Sequence, residues 1–395
     1  MMRPLEDIKI LDLSRVLAGP YATQILGDFG AEIIKVEMPK KGDDTRYFGP
    51  PFENNESAYF LAINRNKKSI TINIKNERGI EILHRLLKIS DVLVENFRPG
   101  TLDKLGLDYN SLKDKYPKLV YVSISGFGHT GPLKDKPGYD LAVQGMSGIM
   151  DITGPENGMP YKVGTSIADI IAGIYAVIGT LLALRVKEKT GKGQKVDISM
   201  LDGQVSLLTY QAGIYFMTGK SPKRKGNQHP TICPYETFET KDGYLNIAVG
   251  NDNLWISFCE IVGLEEIVND ERFKTNPQRV KNRDILFPLI QEKLKSKKRD
   301  EWLEIFDKEG LPAGPIYSVS EVLNHPQVKA REMIKELDHP AIKKMKTTGI
   351  PVKLSDTPGR ILTPPPLLGE HTHSLLLSLG YSEQEIEELR EQGIV

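Results

Sequence analysis

One carboxylate at the start of a long apolar segment is the strongest candidate for chemistry in this sequence. Asp169 lies within residues 164–173, directly before an apolar stretch over residues 170–184. The first turn of a helix favours the ionised carboxylate through the helix dipole, and a carboxylate nucleophile requires that form. A structural role is equally consistent with this position, because an acid there stabilises a helix by about 0.3–1 kcal/mol. Spacing alone leaves both interpretations open.

Other chemistries lack their characteristic motifs. The seven histidines contain one close pair, His371 and His373, and the sequence has no HExxH or CxxC pattern, so we expect no metal site. No phosphate-binding glycine loop and no GxSxG nucleophile motif is present. Only two cysteines occur, which excludes a disulfide scaffold and favours a reducing compartment.

Composition restricts the classes of partner. Lys plus Arg and Asp plus Glu each total 52, and this balance argues against nucleic-acid or membrane-surface binding. The apolar stretch over residues 170–184 is shorter than the roughly 20 residues of a membrane span, and we expect a buried helix there. The first residues resemble neither a signal peptide nor a transit peptide, so we expect a cytoplasmic protein.

A set of basic residues in the first third suits an anionic ligand. Several members follow predicted strands, where α/β sheets bind ligands, although a solvated surface explains any single member equally well. The set comprises Arg15, Lys40, Lys41, Arg46, Lys67, Lys68, Lys75, Arg98 and Lys104.

The elements that position these residues alternate between strand and helix. Apolar patterns predict strands at 8–13, 31–37, 68–74, 91–96, 119–124 and 194–200. With helices between them, these strands predict an α/β fold: a large Rossmann-like domain whose sheet is mostly parallel. A polar, basic stretch after residue 216 suggests a linker, and a hairpin around Asp242 and Gly243 follows it. We therefore predict a large domain over 1–215, rejoined by 330–395, and a smaller α+β domain over 216–329.

Several motifs taken together resemble the family III CoA-transferases, the group that includes formyl-CoA transferase, carnitine CoA-transferase and the α-methylacyl-CoA racemases. The resemblance covers essentially the whole chain. Its blocks are ILDLSRVLAGP at 10–20, GAEIIKVE at 30–37, GDDTR at 42–46, NKKSI at 66–70, VENFRPG at 94–100, GYD at 138–140, GKGQKV at 191–196, GLPAGP at 310–315 and PLLGEHT at 366–372.

The resemblance implies roles for individual residues. Asp169 falls on the catalytic aspartate, which forms an anhydride with the acyl group and then a thioester with CoA. The positions that match the CoA site are Arg15, Val16, Leu17, Ala18, Ile72, Lys75, Asn96, Phe97, Lys104 and Met200. Two family arginines are replaced here, by Met38 and Lys104. The lysine keeps the charge but loses bidentate phosphate geometry, and Lys40, Lys41 or Arg46 are candidates to compensate.

Tyr139 separates two activities within the family. Racemases carry a His-Asp pair for proton transfer, whereas this chain has Tyr139 followed by Asp140. The pKa of tyrosine is ordinarily about 10, so Tyr139 is a poor neutral-pH base and favours a transferase. We expect Tyr139 and Asp140 to shape the acyl site, with Gly226, Asn227 and His229 in a loop that covers it.

The resemblance thus implies transfer of CoA from an acyl-CoA, with succinyl-CoA as the expected donor, to a small carboxylic or dicarboxylic acid. Coenzyme A is then substrate and product, no metal or redox cofactor is implied, and two chains form an interlocked homodimer. The alternatives are an α-methylacyl-CoA racemase or epimerase and a catalytically silent CoA-binding protein. Loss of the aspartate would favour the silent protein, and Asp169 is present.

Overall fold

Two units make up the chain in the computed structural model, which describes residues 2–395. Unit 1 contains the described residues up to Ile149, together with Val163–Tyr210 and Pro326–Val395. Unit 2 contains Met150–Lys162 and Gln211–His325. The sequence placed residues 150–162 in the large domain, but they belong to unit 2.

The reason for this difference lies in the basic stretch that the sequence suggested as a linker. Arg224 donates hydrogen bonds to the backbone and side chain of Asp151 at 3.0 and 3.1 Å. The ammonium group of Lys225 binds Glu156 at 2.7 Å. These side chains hold the segment 150–162 within unit 2.

The strands are β1 (Lys9–Asp12), β2 (Glu32–Glu37), β3 (Phe52–Glu53), β4 (Glu56–Ser57), β5 (Lys67–Thr71), β6 (Val92–Glu95), β7 (Val120–Ser125), β8 (Lys195–Ser199), β9 (Tyr235–Glu239), β10 (Tyr244–Ala248), β11 (Ala313–Pro315), β12 (Ile334–His339) and β13 (Lys343–Thr348). The α-helices are α1 (Ala18–Asp28), α2 (Ala58–Ala62), α3 (Glu77–Lys88), α4 (Tyr109–Leu112), α5 (Asp140–Met146), α6 (Ile149–Ile152), α7 (Ile167–Thr190), α8 (Met200–Ser206), α9 (Thr209–Thr218), α10 (Asp252–Val262), α11 (Asn276–Lys281), α12 (Arg283–Leu294), α13 (Arg299–Lys308), α14 (Val319–Asn324), α15 (Pro326–Ala330), α16 (Thr372–Ser378) and α17 (Glu383–Glu391).

A six-stranded parallel sheet in the order β5-β2-β1-β6-β7-β8 organises unit 1. Apolar side chains on one face pack with α3, α16 and α17, and those on the other face pack with α1 and α7. Burial on both faces explains the nearly continuous apolar strands. The predicted α/β class and all six predicted strands are confirmed.

The helix predicted over the apolar stretch is present as α7, but it is only partly buried. It spans 24 residues, with a mean hydropathy of 2.2 over its most apolar window, and is therefore long and apolar enough to cross a membrane by length and composition alone. Its small residues, such as Ala172 and Ala176, are buried in unit 1, but Ile178 and Leu182 are exposed. The expectation of a buried helix is therefore correct for one face only, because an all-apolar helix does not reveal which of its faces is covered.

Unit 2 contains the three-stranded antiparallel sheet β11-β10-β9. The predicted hairpin is present, with Tyr244 paired to Glu239 across its turn. Trp255, Phe258 and Trp302 are buried beside the sheet, and α10, α12 and α13 supply half of this core. Aromatic side chains thus give unit 2 a hydrophobic core of its own.

A buried ion pair ties the C-terminal segment to the first half of unit 1. The guanidinium of Arg65 donates to both carboxylate oxygens of Asp28, at 2.9 and 2.7 Å, and to the carbonyl of Thr348 at 2.6 Å. Two parallel hydrogen bonds fix the orientation of one side chain relative to the other. The pair therefore fixes the end of β13 against the end of α1.

We expect Arg65→Ala to destabilise unit 1 by about 3–5 kcal/mol, because Asp28 would remain as an uncompensated buried charge. Hydrogen exchange of the β1, β2 and β5 amides measures this loss. Both tryptophans lie in unit 2, so their fluorescence does not report on unit 1. Arg185→Ala is the matched control, since it removes an exposed pair with Glu188 worth about 0.5 kcal/mol. Equal protection in the two variants would contradict this assignment.

Candidate active site

Asp169 opens onto a cavity at the carboxyl edge of the parallel sheet. The turn after β1, the segments after β6 and β7, and the first turn of α7 enclose about 190 Å³. This edge is where open α/β sheets bind ligands, because the connecting loops diverge there. The cavity is lined by Arg15, Val16, Ala18, Asp44, Asn96, Phe97, Arg98, Pro99, Ile124, Ser125, Gly126, Lys136, Pro137, Gly138, Tyr139, Asp169 and Met200.

The Asp169 side chain has unusual electrostatics. Within the part of the chain that the structure describes, its carboxylate accepts no hydrogen bond and forms no ion pair. Burial, with a further contribution from the Asp140 carboxylate, raises the pKa of Asp169 to about 7. The helix N-terminus favours the ionised carboxylate, but desolvation and like-charge repulsion outweigh it, so the prediction of an ionised group is wrong in this respect. Near neutral pH, both protonation states of Asp169 are populated.

Asp140 does not line the cavity. Its carboxylate is held by neighbouring hydrogen-bond donors. One of its carboxylate oxygens accepts a hydrogen bond from the backbone N–H of Ala168 at 2.9 Å, and the other accepts one from the Gln144 amide at 2.8 Å. The first contact satisfies an N–H group in the first turn of α7. Asp140 therefore orients the helix turn that carries Asp169, and its charge raises the pKa of Asp169.

Tyr59 is a functional candidate that no sequence motif marks. This residue lies in the five-residue helix α2, near enough to Asp169 for the charge of that carboxylate to act on its phenol. Burial, together with the charges of Asp169, Asp140 and Asp43, raises the pKa of Tyr59 to about 12. Tyr59 is therefore neutral at physiological pH and keeps a phenol proton to donate. A helix this short has no periodicity to analyse, so no sequence signal identified it.

The turn that contains Arg15 and Val16 is held by two side chains. Asn96 accepts a hydrogen bond from the Arg15 N–H at 2.8 Å and donates one to the Arg15 carbonyl at 2.6 Å. The Val16 N–H donates to Asp43 at 3.2 Å. Val16 has a φ of 68°, which is strained for a β-branched residue, and strained backbones concentrate at functional sites. These contacts keep the strained turn in place beside Asp169.

Buried charges lie beneath the same turn. Lys35 binds Asp43 at 2.8 Å and donates to the Ser14 carbonyl at 2.8 Å, while Lys67 lies 3.3 Å from Asp12. All four charged side chains are inaccessible to solvent. Burial lowers the pKa of Lys67 to about 8, against the opposing effect of Asp12. Lys67 belongs to the basic set predicted to suit an anionic ligand, but its partners are inside the protein.

A second, larger cavity adjoins the first, because Arg15 and Phe97 line both. Its volume is about 460 Å³, and its walls combine apolar side chains with lysines. The lining comprises Leu13, Arg15, Lys35, Val36, Glu37, Met38, Lys41, Gly42, Asp43, Ile72, Ile74, Lys75, Phe97, Thr101 and Leu105. An elongated ligand with an apolar or aromatic end and anionic groups suits this pair of cavities.

Lys41 and Arg46, two candidates to compensate for the missing arginine, have different surroundings in the structure. Lys41 lines the larger cavity beside Met38 and pairs with Asp44 at 2.9 Å. Arg46 is unavailable, because its guanidinium binds Glu37 at 2.7 Å and lies 3.6 Å from the centre of the Phe60 ring. The suggestion that Arg46 faces the ligand was therefore wrong.

Most of the residues predicted to bind CoA line one or both cavities: Arg15, Val16, Ala18, Ile72, Lys75, Asn96, Phe97 and Met200. Leu17 lines neither cavity, because its side chain is buried. Lys104 lines neither cavity and is exposed.

The remaining acyl-site candidates divide between the two units. Tyr139 lines the smaller cavity and is 71% exposed. Gly226, Asn227 and His229 belong to unit 2, where Asn227 lines a separate cavity over the sheet of that unit. Over residues 2–395, no group of three or more His, Cys, Asp or Glu side chains is arranged to hold a metal ion. At the unit 1 cavity, Asp169 offers a carboxylate.

Comparison with known proteins identifies related sequences. Residues 5–372 match the family model described as CoA-transferase family III. The chain is 43% identical over 395 residues to succinyl-CoA:glutarate CoA-transferase of Homo sapiens, covering 100% of this chain and 90% of that protein. It is 45% identical over 388 residues to succinate–glutarate CoA-transferase of Agrobacterium fabrum, covering 96% and 97% of the two chains.

A solved structure shows the same fold. The crystal structure of a CAIB/BAIF family protein from Brucella suis superposes with a TM-score of 0.86 at 45% identity. The match covers 96% of this chain and 100% of that chain.

We expect Asp169 to gain its charge as the pH rises through about 7, so that its nucleophilic form is depleted below that pH. Asp140→Asn should lower the pH of half-ionisation, because it removes a like charge but keeps an acceptor for the Ala168 N–H. Carbon-13 NMR of aspartate-labelled protein measures both titrations, and the signal absent in Asp169→Asn assigns the group. Asp135→Asn, an exposed nearby change, should leave the titration unaltered. An ordinary titration of Asp169 near pH 4 would refute the expectation.

Proposed function

Because the chain belongs to CoA-transferase family III and is a CoA-transferase, we propose that it moves CoA from succinyl-CoA to a short dicarboxylic acid, with glutarate as the first acceptor to test. The observation that carries this proposal is the unpartnered Asp169 carboxylate at a cavity continuous with a larger one. A nucleophile needs a lone pair that no other group occupies. Asp169 meets that condition.

The two cavities fit the two ends of an acyl-CoA. In the proposed arrangement, the nucleotide occupies the larger cavity, with Ile72 and Ile74 against the base and Lys41 and Lys75 near the phosphates. The pantetheine arm passes Phe97, which lines both cavities, and delivers the thioester to Asp169. Lysines act as point charges toward phosphate, so Lys41 serves in place of the arginine that Met38 replaces.

The charges around Asp169 support a dicarboxylate substrate. Arg15, Arg98 and Lys136 line the smaller cavity together with the nucleophile. Neither Arg98 nor Lys136 has a carboxylate within ion-pair distance in the described residues. Arg15 pairs with Asp44, which lines the same cavity, so Arg98 and Lys136 are the two cations that favour acyl groups with a second negative charge. Succinyl and glutaryl groups carry such a charge. Exposed Tyr139 supplies an apolar wall with a polar tip.

The first half of the proposed reaction transfers CoA to the enzyme. An Asp169 oxygen attacks the thioester carbonyl of succinyl-CoA, the carbon–sulfur bond breaks, and CoA leaves as the thiolate. The product is a mixed anhydride of Asp169 and succinate. The thiolate then attacks the aspartyl carbonyl of this anhydride, succinate leaves as a carboxylate, and an aspartyl-CoA thioester forms.

The second half reverses these steps with the acceptor. A glutarate carboxylate attacks the aspartyl thioester and expels the CoA thiolate, and a glutaryl-aspartyl anhydride forms. The thiolate attacks the glutaryl carbonyl, which releases glutaryl-CoA and the free Asp169 carboxylate. No step consumes or releases a net proton. The neutral phenol of Tyr59, near Asp169, is proposed to donate to the oxyanion of these additions.

We expect succinyl-CoA to modify one peptide of the protein, that containing Asp169, because both proposed intermediates are covalent. Intact-protein mass spectrometry after rapid quenching measures a mass increase of one CoA or one succinyl group. Hydroxylamine should convert Asp169 to its hydroxamate, and glutarate should discharge the adduct. In Asp169→Asn, we expect the adduct to be absent and the transfer rate to fall at least about a thousandfold.

Two outcomes would contradict the transferase mechanism. Exchange of an acyl α-proton in deuterated water without an adduct would favour a racemase. Binding of CoA without an adduct and without exchange would favour a silent binding protein. Asp135→Asn serves as the matched aspartate control and should retain the wild-type adduct.

We also propose a homodimer, supported by the apolar face that α7 exposes in unit 1. Ile174, Ile178, Leu181, Leu182 and Val186 all expose large apolar side chains. Contiguous exposed apolar surface of this kind marks association sites in soluble proteins.

Light scattering should give the mass of two chains for the wild type. Leu182→Glu should lower the dimeric fraction, because it buries a charge in the proposed interface, whereas Lys189→Glu at an exposed polar position of α7 should not. A monomeric wild type at micromolar concentration would contradict the proposal.

A further inference from the structure

Three polar side chains form a hydrogen-bonded chain beneath the Asn96–Phe97 turn, outside the cavity of Asp169. Glu95 ends β6 and lies directly opposite Ser123 of β7 in the strand register. The Ser123 hydroxyl contacts Glu95 Oε1 on one side and His129 Nε2 at 2.5 Å on the other. The second Glu95 oxygen accepts a hydrogen bond from the Phe97 N–H at 2.9 Å. The proposed reaction uses none of Glu95, Ser123 and His129.

The hydrogen bonds among Glu95, Ser123 and His129 can be oriented in two ways with the protons available. Ser123 has one hydroxyl proton and two neighbours. If Glu95 is ionised, the hydroxyl donates to Glu95 and the Nε2–H tautomer of neutral His129 donates to the hydroxyl. If Glu95 is protonated, its carboxylic acid donates a hydrogen bond to the hydroxyl oxygen, and the hydroxyl donates to an unprotonated Nε2. Both directions satisfy all three groups without moving a heavy atom.

Glu95 changes protonation in the physiological range. Burial raises its pKa to about 7, while Ser123, the Phe97 N–H and Lys195 oppose the rise and Asp103 adds to it. Burial and Lys195 lower the pKa of His129, which stays neutral at pH 7. The charged or titratable groups that face this chain are Arg98, Asp103, Asp108, Tyr109, Tyr121, Lys195 and Asp197. A cavity of about 290 Å³, lined by Glu95 and His129, gives water access for proton exchange.

The charge on Glu95 bears on the substrate cavities through its neighbours in sequence. Phe97 lines both cavities, and the Arg15 guanidinium lies 5.2 Å from the centre of its ring. Asn96 makes two hydrogen bonds to the backbone of Arg15. An ionised carboxylate accepts a stronger hydrogen bond than a carboxylic acid does. The Phe97 N–H is therefore held more firmly when Glu95 is charged.

We propose that Glu95 is a positioning residue for CoA, which in its ionised form, supported by Ser123 and His129, fixes the Asn96–Phe97 turn and so strengthens CoA binding as the pH rises. This inference rests on the proposed function, since it requires CoA in the two cavities. It adds a proton-dependent control of CoA affinity by groups that do not touch the substrate.

Isothermal titration calorimetry with free CoA between about pH 5.5 and pH 8.5 tests the proposal. The measured quantity is the CoA affinity of the wild type divided by that of Glu95→Gln. Ionisation of CoA itself affects both affinities equally and therefore cancels in this ratio. Gln keeps an acceptor for Phe97 and a donor for Ser123 but is always neutral. We expect a ratio near one at low pH that rises to about five at high pH.

Two further variants separate positioning from simple loss of structure. Ser123→Ala removes a hydrogen bond to ionised Glu95 and should shift the rise in CoA affinity to higher pH. Asp103→Asn removes a charge of the same sign from the same cavity without touching Phe97, and its CoA affinity should follow that of the wild type after a small shift to lower pH. If Glu95→Gln fails to fold, the shift in Ser123→Ala carries the test.

The outcomes distinguish this inference from the proposed function. The positioning role alone would be overturned if the wild type binds CoA but two results fail. The ratio of CoA affinities of wild type and Glu95→Gln would then not change with pH, and Ser123→Ala would not shift the pH dependence of CoA binding. Wild-type protein that binds no CoA at any pH would overturn the proposed function as well.

Discussion

The site depends on four buried charges under the carboxyl edge of the parallel sheet. Asp12, Lys35, Asp43 and Lys67 come from three strands and one loop and compensate each other in a region without solvent access. Removing one partner of a buried pair leaves an uncompensated charge, at a cost of about 3–5 kcal/mol. Because Lys35 also holds the Ser14 carbonyl, this set of charges determines where the strained turn at residues 15–16 lies. Both cavities have a wall built from that turn.

Carboxylates in this unit are kept in different protonation states by their surroundings. Although burial opposes ionisation of Asp43, Lys35 and the Thr45 hydrogen bonds bring its pKa down to about 2. Asp169 has burial and the Asp140 charge but no cation in direct contact, and its pKa is raised to about 7. A permanently charged, satisfied carboxylate suits a structural role, and an unsatisfied one suits a nucleophile.

Local patterns in the sequence predicted the parts of the structure that depend on neighbouring residues. The six strands were predictable, because an apolar run or alternation lies within each strand, and Asp169 was conspicuous in an apolar segment. Pairings between distant residues were not predictable. Arg46 is occupied by Glu37 and Phe60, and the charge of Asp169 acts on Tyr59, more than 100 residues away in sequence. The helix α7 gave no indication of its exposed face, because nearly every position is apolar.

The raised pKa of Asp169 also determines how the proposed anhydride reacts. Its two carbonyls compete for the CoA thiolate, and attack at one expels the carboxylate of the other. Succinate has carboxyl groups of ordinary pKa, about 4.3 by analogy with glutamate, whereas Asp169 is more basic and so is the poorer leaving group. Attack at the aspartyl carbonyl is therefore favoured, since it expels succinate. In the proposed mechanism the same asymmetry slows release of the final product, and we expect the aspartyl-CoA thioester to be the intermediate that accumulates.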